Sequence, residues 1–502
     1  MQSFDYVVVG AGSAGCVLAA RLSEDPRTRV LLVEAGAAEG PEMMGVPSAW
    51  PSLMGSAADW GYVTVPQPGM DDLVLPYPRG KGLGGSSSIN AMAFLRGHRA
   101  GYDGWARHGA AGWGYEDLLP YFKRSERAVG RDPAYRGTEG PMRVSPPADV
   151  HPMAPAYFAA AVEVGHPVSV DLNGKDAEGV SWLEMNIVDG ARQSAADGYL
   201  RPVLTRPNLT VVPNASVSRL SLSAGRCTGI EYSVGGHSHS AGADREVILS
   251  AGTFGSAHLL MLSGIGPADH LREFDIDVVA DLAGVGGNLQ DHPLAGVTYA
   301  ATRPVPSGPN NHSDVVAMLR SRPDLSVPDV ELLFLTIAYH PPTLVGPVHG
   351  YTIGFSLMRP YSRGSVRLAS SDPATAPLIH PNFLGDERDL STMVTALEMA
   401  REVGETRALA EWRDRECLPG PVVRDGDTLR AYVRQVTGPY HHAVGTCRIG
   451  EDPLGVVDAE LRVHGVSGLR VVDASVMPQI IGANTHATVL AIAERAASIL
   501  TG

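Results

Sequence analysis

Along this chain, hydrophobic positions change their period twice before residue 40. Tyr6–Val9 is an unbroken aromatic and β-branched run, the pattern of a strand buried on both faces. It breaks at Gly10-Ala11-Gly12-Ser13-Ala14-Gly15. Helical spacing follows, with Val17, Leu18 and Leu22 on one face as far as Asp25-Pro26, and a second continuous run, Val30–Val33, ends in Glu34. The pattern predicts strand, tight turn, helix and strand. Farther on, 327–356 carries several strand-like runs. Leu390, Met393, Val394 and Leu397, continued by Ala400 and Val403, predict a helix over 388–404. The stretch GPYHHAVGTCRIG at 438–450 reads as extended, so His441 and His442 are expected on opposite faces. No internal repeat and no low-complexity segment interrupts the pattern.

With 502 residues, 44% of them hydrophobic and 19% charged, the chain has material for roughly two to four domains. Its formal charge of −14 argues against a nucleic-acid surface, which needs a basic patch. Cys16, Cys227, Cys417 and Cys447 are scattered, with neither disulfide-framework nor metal-ligand spacing, so no metal is expected. The opening MQSFDYVVVG leaves no room for a signal peptide ahead of the first motif. No apolar run approaches the roughly 18 residues of a membrane span. The expectation is a cytoplasmic protein without a membrane span.

The glycine run is a GxGxxG placed between strand and helix, the context in which it binds a dinucleotide. Gly10 permits the turn, Gly12 lets backbone approach a pyrophosphate, and Gly15 packs helix against strand. The helix N-terminus faces the phosphates. Glu34, nineteen residues after Gly15, is expected to accept hydrogen bonds from ribose hydroxyls. An acid there disfavours a 2′-phosphate, which leaves FAD and NAD. A second glycine-rich stretch, RGKGLGGSSSINAMAFLRGHR at 79–99, offers accessible backbone N–H groups suited to a flat ring or a diphosphate. Its apolar members Leu83, Ile89, Met92 and Phe94 set it apart from a flexible linker.

These stretches are joined by RQSAADGYLRPVLT at 192–205, PNLTVVPNASVSRL at 207–220, ILSAGTFGSAHLLMLSGIGP at 248–267 and GVGGNLQDHP at 284–293. Residues 463–497, VHGVSGLRVVDASVMPQIIGANTHATVLAIAERAA, complete the set. In this order, along the whole chain, they resemble the glucose–methanol–choline (GMC) oxidoreductases, and most of all the choline dehydrogenase/alcohol oxidase branch. The resemblance implies an α/β fold (α+β overall): a Rossmann-like FAD-binding domain and a second, substrate domain with an antiparallel sheet under helices. The FAD domain would be discontinuous, from 1–150, 190–295 and 440–502. The substrate domain would take 296–439, with 151–189 crossing to it.

Carried over by motif, the catalytic histidine is His442, three residues before Gly445-Thr446, and its partner is Asn484 in GANTHAT. His441 is expected to be packing, and His486 is the rival second acid/base. Asp291-His292 looks like a structural turn, with His292 not catalytic. FAD contacts are implied at Gly10, Gly12, Ser13, Ala14, Gly15, Glu34 and Ala35, and again at Gly80, Gly84, Gly85, Ser86, Asn90 and Ala91. Val217, Ala251, Gly252, Asp473, Ala474, Asn484 and Thr485 complete them. Asp473 could equally be a strand-end or helix-capping aspartate. Many members attach FAD through a histidine just before the asparagine of the Gly-Gly-Ser-Ser segment. Here that place is Ile89, so the FAD is expected to be non-covalent.

The implied reaction is oxidation of a small primary alcohol to an aldehyde, by hydride transfer to flavin N5 with His442 as base and O2 or another acceptor taking the electrons. The alternatives are a cyanohydrin-cleaving lyase of the same family and, from another class, an NAD-dependent dehydrogenase. A quaternary ammonium substrate would need a carboxylate and an aromatic cage. Glu331, Tyr339 and Tyr351 lie in the expected substrate domain, but nothing in the sequence gathers them round one pocket.

Overall fold

The computed structural model describes residues 2–502. Strand Gln2–Val9 lies inside a seven-stranded sheet. Val30–Val33 flanks it on one side, followed by Leu209–Val212, and His237–Leu249 flanks it on the other. These pairings are parallel, as is that of His237–Leu249 with the short strand Leu469–Val471. Arg226–Val234 and Ala215–Ser223 extend the sheet as antiparallel hairpins. Val30–Val33 is buried at every position, because helices cover a parallel sheet on both faces.

Three distant parts of the chain therefore meet in one sheet. The closing helix, His486–Thr501, packs against the first one, Ser13–Leu22. The buried Glu494 carboxylate ties them together. It accepts from Arg21 Nη2 at 2.7 Å and from the Tyr199 hydroxyl at 2.9 Å. The two chain ends thus share a layer, with both helix N-termini at its top edge.

A second seven-stranded sheet is antiparallel throughout. It runs Arg413–Leu418, Pro293–Ala301, Gly350–Leu357, Val330–Leu335, Val315–Leu319 and Gly179–Trp182, with Gly438–Pro439 added beside the start of Pro293–Ala301. Helices Glu387–Gly404, Gly426–Val436 and Ala154–Glu163 cover one face. They bury Leu390, Met393 and Leu397 against Val297, Leu332, Phe334 and Phe355. On the other face Val316, Met318, Leu333 and Leu335 join the core of the parallel-sheet unit. Alternate strand residues face opposite ways, so Glu331 shares the Leu333 side and looks toward that unit. It stands between Met318 and Ser356 in the register.

Candidate active site

The dinucleotide motif is shaped by three different constraints. Gly10 has φ +97°, and a Cβ there would lie 2.5 Å from the Ser250 carbonyl oxygen. A Cβ on Gly15 would lie 1.9 Å from the Gly10 oxygen, whereas on Gly12 it would meet nothing nearer than 3.9 Å. The face of Gly12 is open. The second glycine-rich stretch docks beside it. Gly84 N–H donates to the Ala11 oxygen at 2.8 Å, and a Cβ on Gly85 would sit 2.7 Å from Gly12 Cα.

Glu34 fastens these loops. One carboxylate oxygen accepts from Ala11 N–H at 2.8 Å, and the other accepts from Gly36 N–H at 2.8 Å and Gly82 N–H at 3.0 Å. Burial raises its pKa against the pull of these three donors. A carboxylate offers about four acceptor sites, so one remains for a ligand. Ala35 follows directly, and Val217 stands in the strand Ala215–Ser223.

A cavity of about 380 Å³ adjoins the cradle, lined among others by Lys81, Gly82, Gly85, Ser88, Ile89 and Arg192. Arg192 went unnoticed in the sequence as a site residue, although it opens the quoted segment 192–205. Its Nη1 donates to the Asn90 backbone oxygen at 2.6 Å and to Asn90 Oδ1 at 2.8 Å, while Nη2 has no partner. Burial lowers its pKa to about 10. Ser86 Oγ accepts from Gly80 N–H at 3.1 Å, and the Ala91 oxygen accepts from Asn311. Ile89 packs in an apolar cluster with Leu53, Ala58 and Met44.

Ala251 and Gly252 open the helix Gly252–Leu262. The Asp473 carboxylate caps it, accepting from Gly252 N–H at 2.9 Å and Ser256 Oγ at 2.6 Å, and it also accepts from Ser475 N–H at 2.8 Å. Ala474 begins the short turn that follows. Thr485 is the N-cap of the last helix. His486, two residues past Asn484, turns to the cradle: its Nδ1 lies 3.2 Å from Ser13 Oγ, and burial lowers its pKa to about 4.

The second cluster is assembled by strand register. The antiparallel pairing of Pro293 with Pro439 sets His292 beside the chain that follows Gly438–Pro439, and Tyr440 N–H donates to the His292 oxygen at 3.0 Å. Beyond it the chain is not extended as the pattern predicted. His441 has φ +65°. The turn is held from both sides: Arg79 Nη1 donates to the His441 oxygen at 2.9 Å, and His442 N–H donates to Asp291 Oδ1 at 2.7 Å. The two imidazoles still part company. His441 faces Tyr77, with ring centroids 6.1 Å apart.

His442 Nδ1 lies 2.9 Å from His292 Nδ1, and its Nε2 lies 3.2 Å from Asn484 Nδ2. Asp291 also accepts from His292 N–H at 2.8 Å and from the Tyr77 hydroxyl. His292 is thus more than a turn residue, because it touches the imidazole that the motif singled out. Burial pushes the His292 pKa down to about 3 and that of Asp291 up to about 6. His442 is driven well below the usual histidine range, first by burial and then by His292, His441 and Arg79. It is a neutral imidazole at pH 7.

Glu331, Tyr339 and Tyr351 do not gather. Tyr351 stacks on Tyr299 at 5.3 Å in the helix-covered core, and Tyr339 lies by Trp50 at 6.3 Å. Tyr339 also faces Tyr440, but of the three only Glu331 hydrogen-bonds into the His442 cluster among the described residues: its Oε1 accepts from the Tyr440 hydroxyl at 2.7 Å. The Tyr440 ring lies 4.2 Å from that of His442. Among the described residues, no group of three or more His, Cys, Asp or Glu is arranged to hold a metal, and no helix is long and apolar enough to cross a membrane.

Two family models described as GMC oxidoreductase match residues 4–294 and 360–493. The chain belongs to the GMC oxidoreductase family. It is 41% identical to mitochondrial choline dehydrogenase of Mus musculus, over 100% of this chain and 90% of that protein. It is 37% identical to oxygen-dependent choline dehydrogenase of Rhizobium etli, over 99% and 95%. Among solved structures, pyridoxine 4-oxidase from Mesorbium loti superposes with a TM-score of 0.96 at 37% identity, over 99% of this chain and 98% of that one. A fungal aryl-alcohol oxidase superposes at 0.89 and 26% identity, over 100% and 99%.

This GMC protein is an FAD-dependent oxidoreductase acting on CH–OH groups, which sets aside an NAD-dependent dehydrogenase. The cradle fits the cofactor. The open face of Gly12 admits a diphosphate, and the unpartnered Arg192 Nη2 at the cavity is a donor awaiting an acceptor.

Proposed function

We propose that this protein oxidises a primary alcohol to an aldehyde, with His442 Nε2 as the base and Asn484 as the donor to the alcohol oxygen. The observation that carries the reading is the position of the His442 ring, with Nδ1 against His292 and Nε2 against Asn484. The Ile481 and Met358 carbonyls face the His292 ring. The two Nδ1 atoms face each other, so one of them must carry the proton, and in this reading His442 Nδ1–H donates to a bare His292 Nδ1. That tautomer leaves His442 Nε2 unprotonated, an acceptor facing the Asn484 amide that the alcohol hydroxyl can take over. The alcohol hydroxyl donates to Nε2 and accepts from the Asn484 amide, which orients the C–H and stabilises developing alkoxide. Bound FAD would supply the two-electron acceptor for the hydride.

In this reading the sequence-derived FAD contacts keep their roles. Gly10 makes the turn and Gly15 packs helix on strand, while Gly12, Ser13 and Ala14 face the pyrophosphate together with Gly84, Gly85 and Arg192. Glu34, Ala35 and Val217 meet the adenosine, and the segments around Ala251, Asp473 and Thr485 border the remainder. Ile89 offers no nucleophile, so the FAD is non-covalent, and acid precipitation should leave all the yellow colour in the supernatant. The acceptor is O2 or another oxidant. Relatives named for choline and pyridoxine suggest a nitrogen-bearing alcohol. Anaerobic mixing with a panel of alcohols, followed by air, tests the reading. Bleaching of the flavin supports it. A flavin that no alcohol bleaches overturns it in favour of the lyase.

A further inference from the structure

Glu331 is a carboxylate wholly enclosed in a sheet, and the reaction as described above gives it no task. Its neighbours in the register are Met318 and Ser356, and the Ser356 hydroxyl is already spent on the Pro293 oxygen at 2.9 Å. Among the described residues only Tyr440 faces it as a titratable group, donating to Oε1, and Oε2 has no partner. Tyr440 in turn faces Tyr339 and the Asn484 side chain, and its ring lies 4.2 Å from that of His442. Asn484 Nδ2 also faces His442 Nε2, and Asn484 Oδ1 is left without a partner. The four groups adjoin one another in order, from the sheet to His442.

We propose that Glu331 is a positioning residue for the oxidation, setting the direction of the hydrogen bonds that run through Tyr440 and Asn484 to His442. The inference rests on the reading of His442 as base. A phenol has one proton to give. While Glu331 is ionised, Tyr440 spends that proton on it and can only accept from Asn484. The amide must then turn its NH2 toward Tyr440 and His442, which keeps His442 Nε2 unprotonated. A protonated Glu331 can donate to the Tyr440 oxygen instead. This frees the phenol to donate to Asn484 Oδ1, turns the amide over, and lets that oxygen hold a proton on Nε2. Burial raises the Glu331 pKa to about 7, so both directions fall within the working range of pH.

The test compares FAD-loaded wild type with Glu331→Leu and Tyr440→Phe, each checked for flavin content. Tyr440→Phe removes a single oxygen from a packed ring and covers the case in which Glu331→Leu fails to fold. With a saturating alcohol under anaerobic conditions, wild-type flavin reduction should slow by about tenfold per pH unit below the Glu331 pKa. In the variants the rate at pH 8 should fall by about tenfold, the acid limb should flatten, and KM should change little. Ring-nitrogen chemical shifts of His442, read without substrate, should show a bare Nε2 in the wild type at pH 8 and a partly protonated one in the variants. Variants that keep the wild-type limb and the wild-type shifts overturn the proposal. A wild-type flavin that no alcohol reduces overturns the alcohol reading instead, while the shifts still decide the hydrogen-bond chain.

Discussion

At the amino-terminal cradle the working atoms belong to the backbone: the open face of Gly12, the close approach of Gly85, and the N–H groups of Ala11, Gly36 and Gly82 gathered by Glu34. At the base cluster they are side chains. His292, Glu331, Tyr440, His442 and Asn484 come from separate stretches, with His292 and His442 150 residues apart. A backbone site demands small residues at fixed spacing and tolerates few others. A side-chain network depends on which strands pair, and in what register. The cradle should therefore be brittle to substitution, whereas the histidine cluster, under the function proposed, should lose activity by degrees.

The comparison can be broken at its strongest point first. Gly85→Val adds a Cβ 2.7 Å from Gly12 Cα at a residue with φ +53°, and it should abolish FAD binding, read as the loss of visible absorbance in purified protein. A fully yellow variant would show that the backbone does not build the cradle. His442→Ala should slow flavin reduction by roughly 10²–10⁴-fold while FAD content stays at the wild-type level. Normal reduction in a flavin-loaded variant would remove the base from the scheme. His292→Ala deletes one hydrogen bond to the base and should cost about tenfold in the same assay, with FAD again retained. A loss as large as that of His442→Ala would make His292 an acid/base in its own right. Tyr351→Phe, in the helix-covered core and with an unpartnered hydroxyl, should change reduction by less than about twofold and leave thermal stability intact.

The same contrast explains what the sequence disclosed. The strand Val30–Val33 and the helix Glu387–Gly404 follow from apolar period alone, as does the turn between the first strand and helix, because these signals are local. His442 and Asn484 were placed by motif, and the fold brings them within 3.2 Å of each other. His292 was hidden because its contact with His442 is created by the pairing of Pro293 with Pro439, a long-range event. Glu331 was singled out in the sequence only as a candidate carboxylate for a cation cage, beside Tyr339 and Tyr351. Its meaning depends on facing the Leu333 side of its strand, and alternation cannot show which side of a sheet meets which neighbour. The turn at His441 was missed because the groups that hold it, Arg79 and Asp291, lie far away in the chain.

Glu34 has a consequence beyond its place at the end of a strand. With three donors of the protein's own already fastened to it, the nucleotide berth holds its shape between occupants. With the non-covalent FAD proposed above, the protein should accept stripping and refilling, so that flavins altered at the ring would vary its oxidising power while every amino acid stays in place.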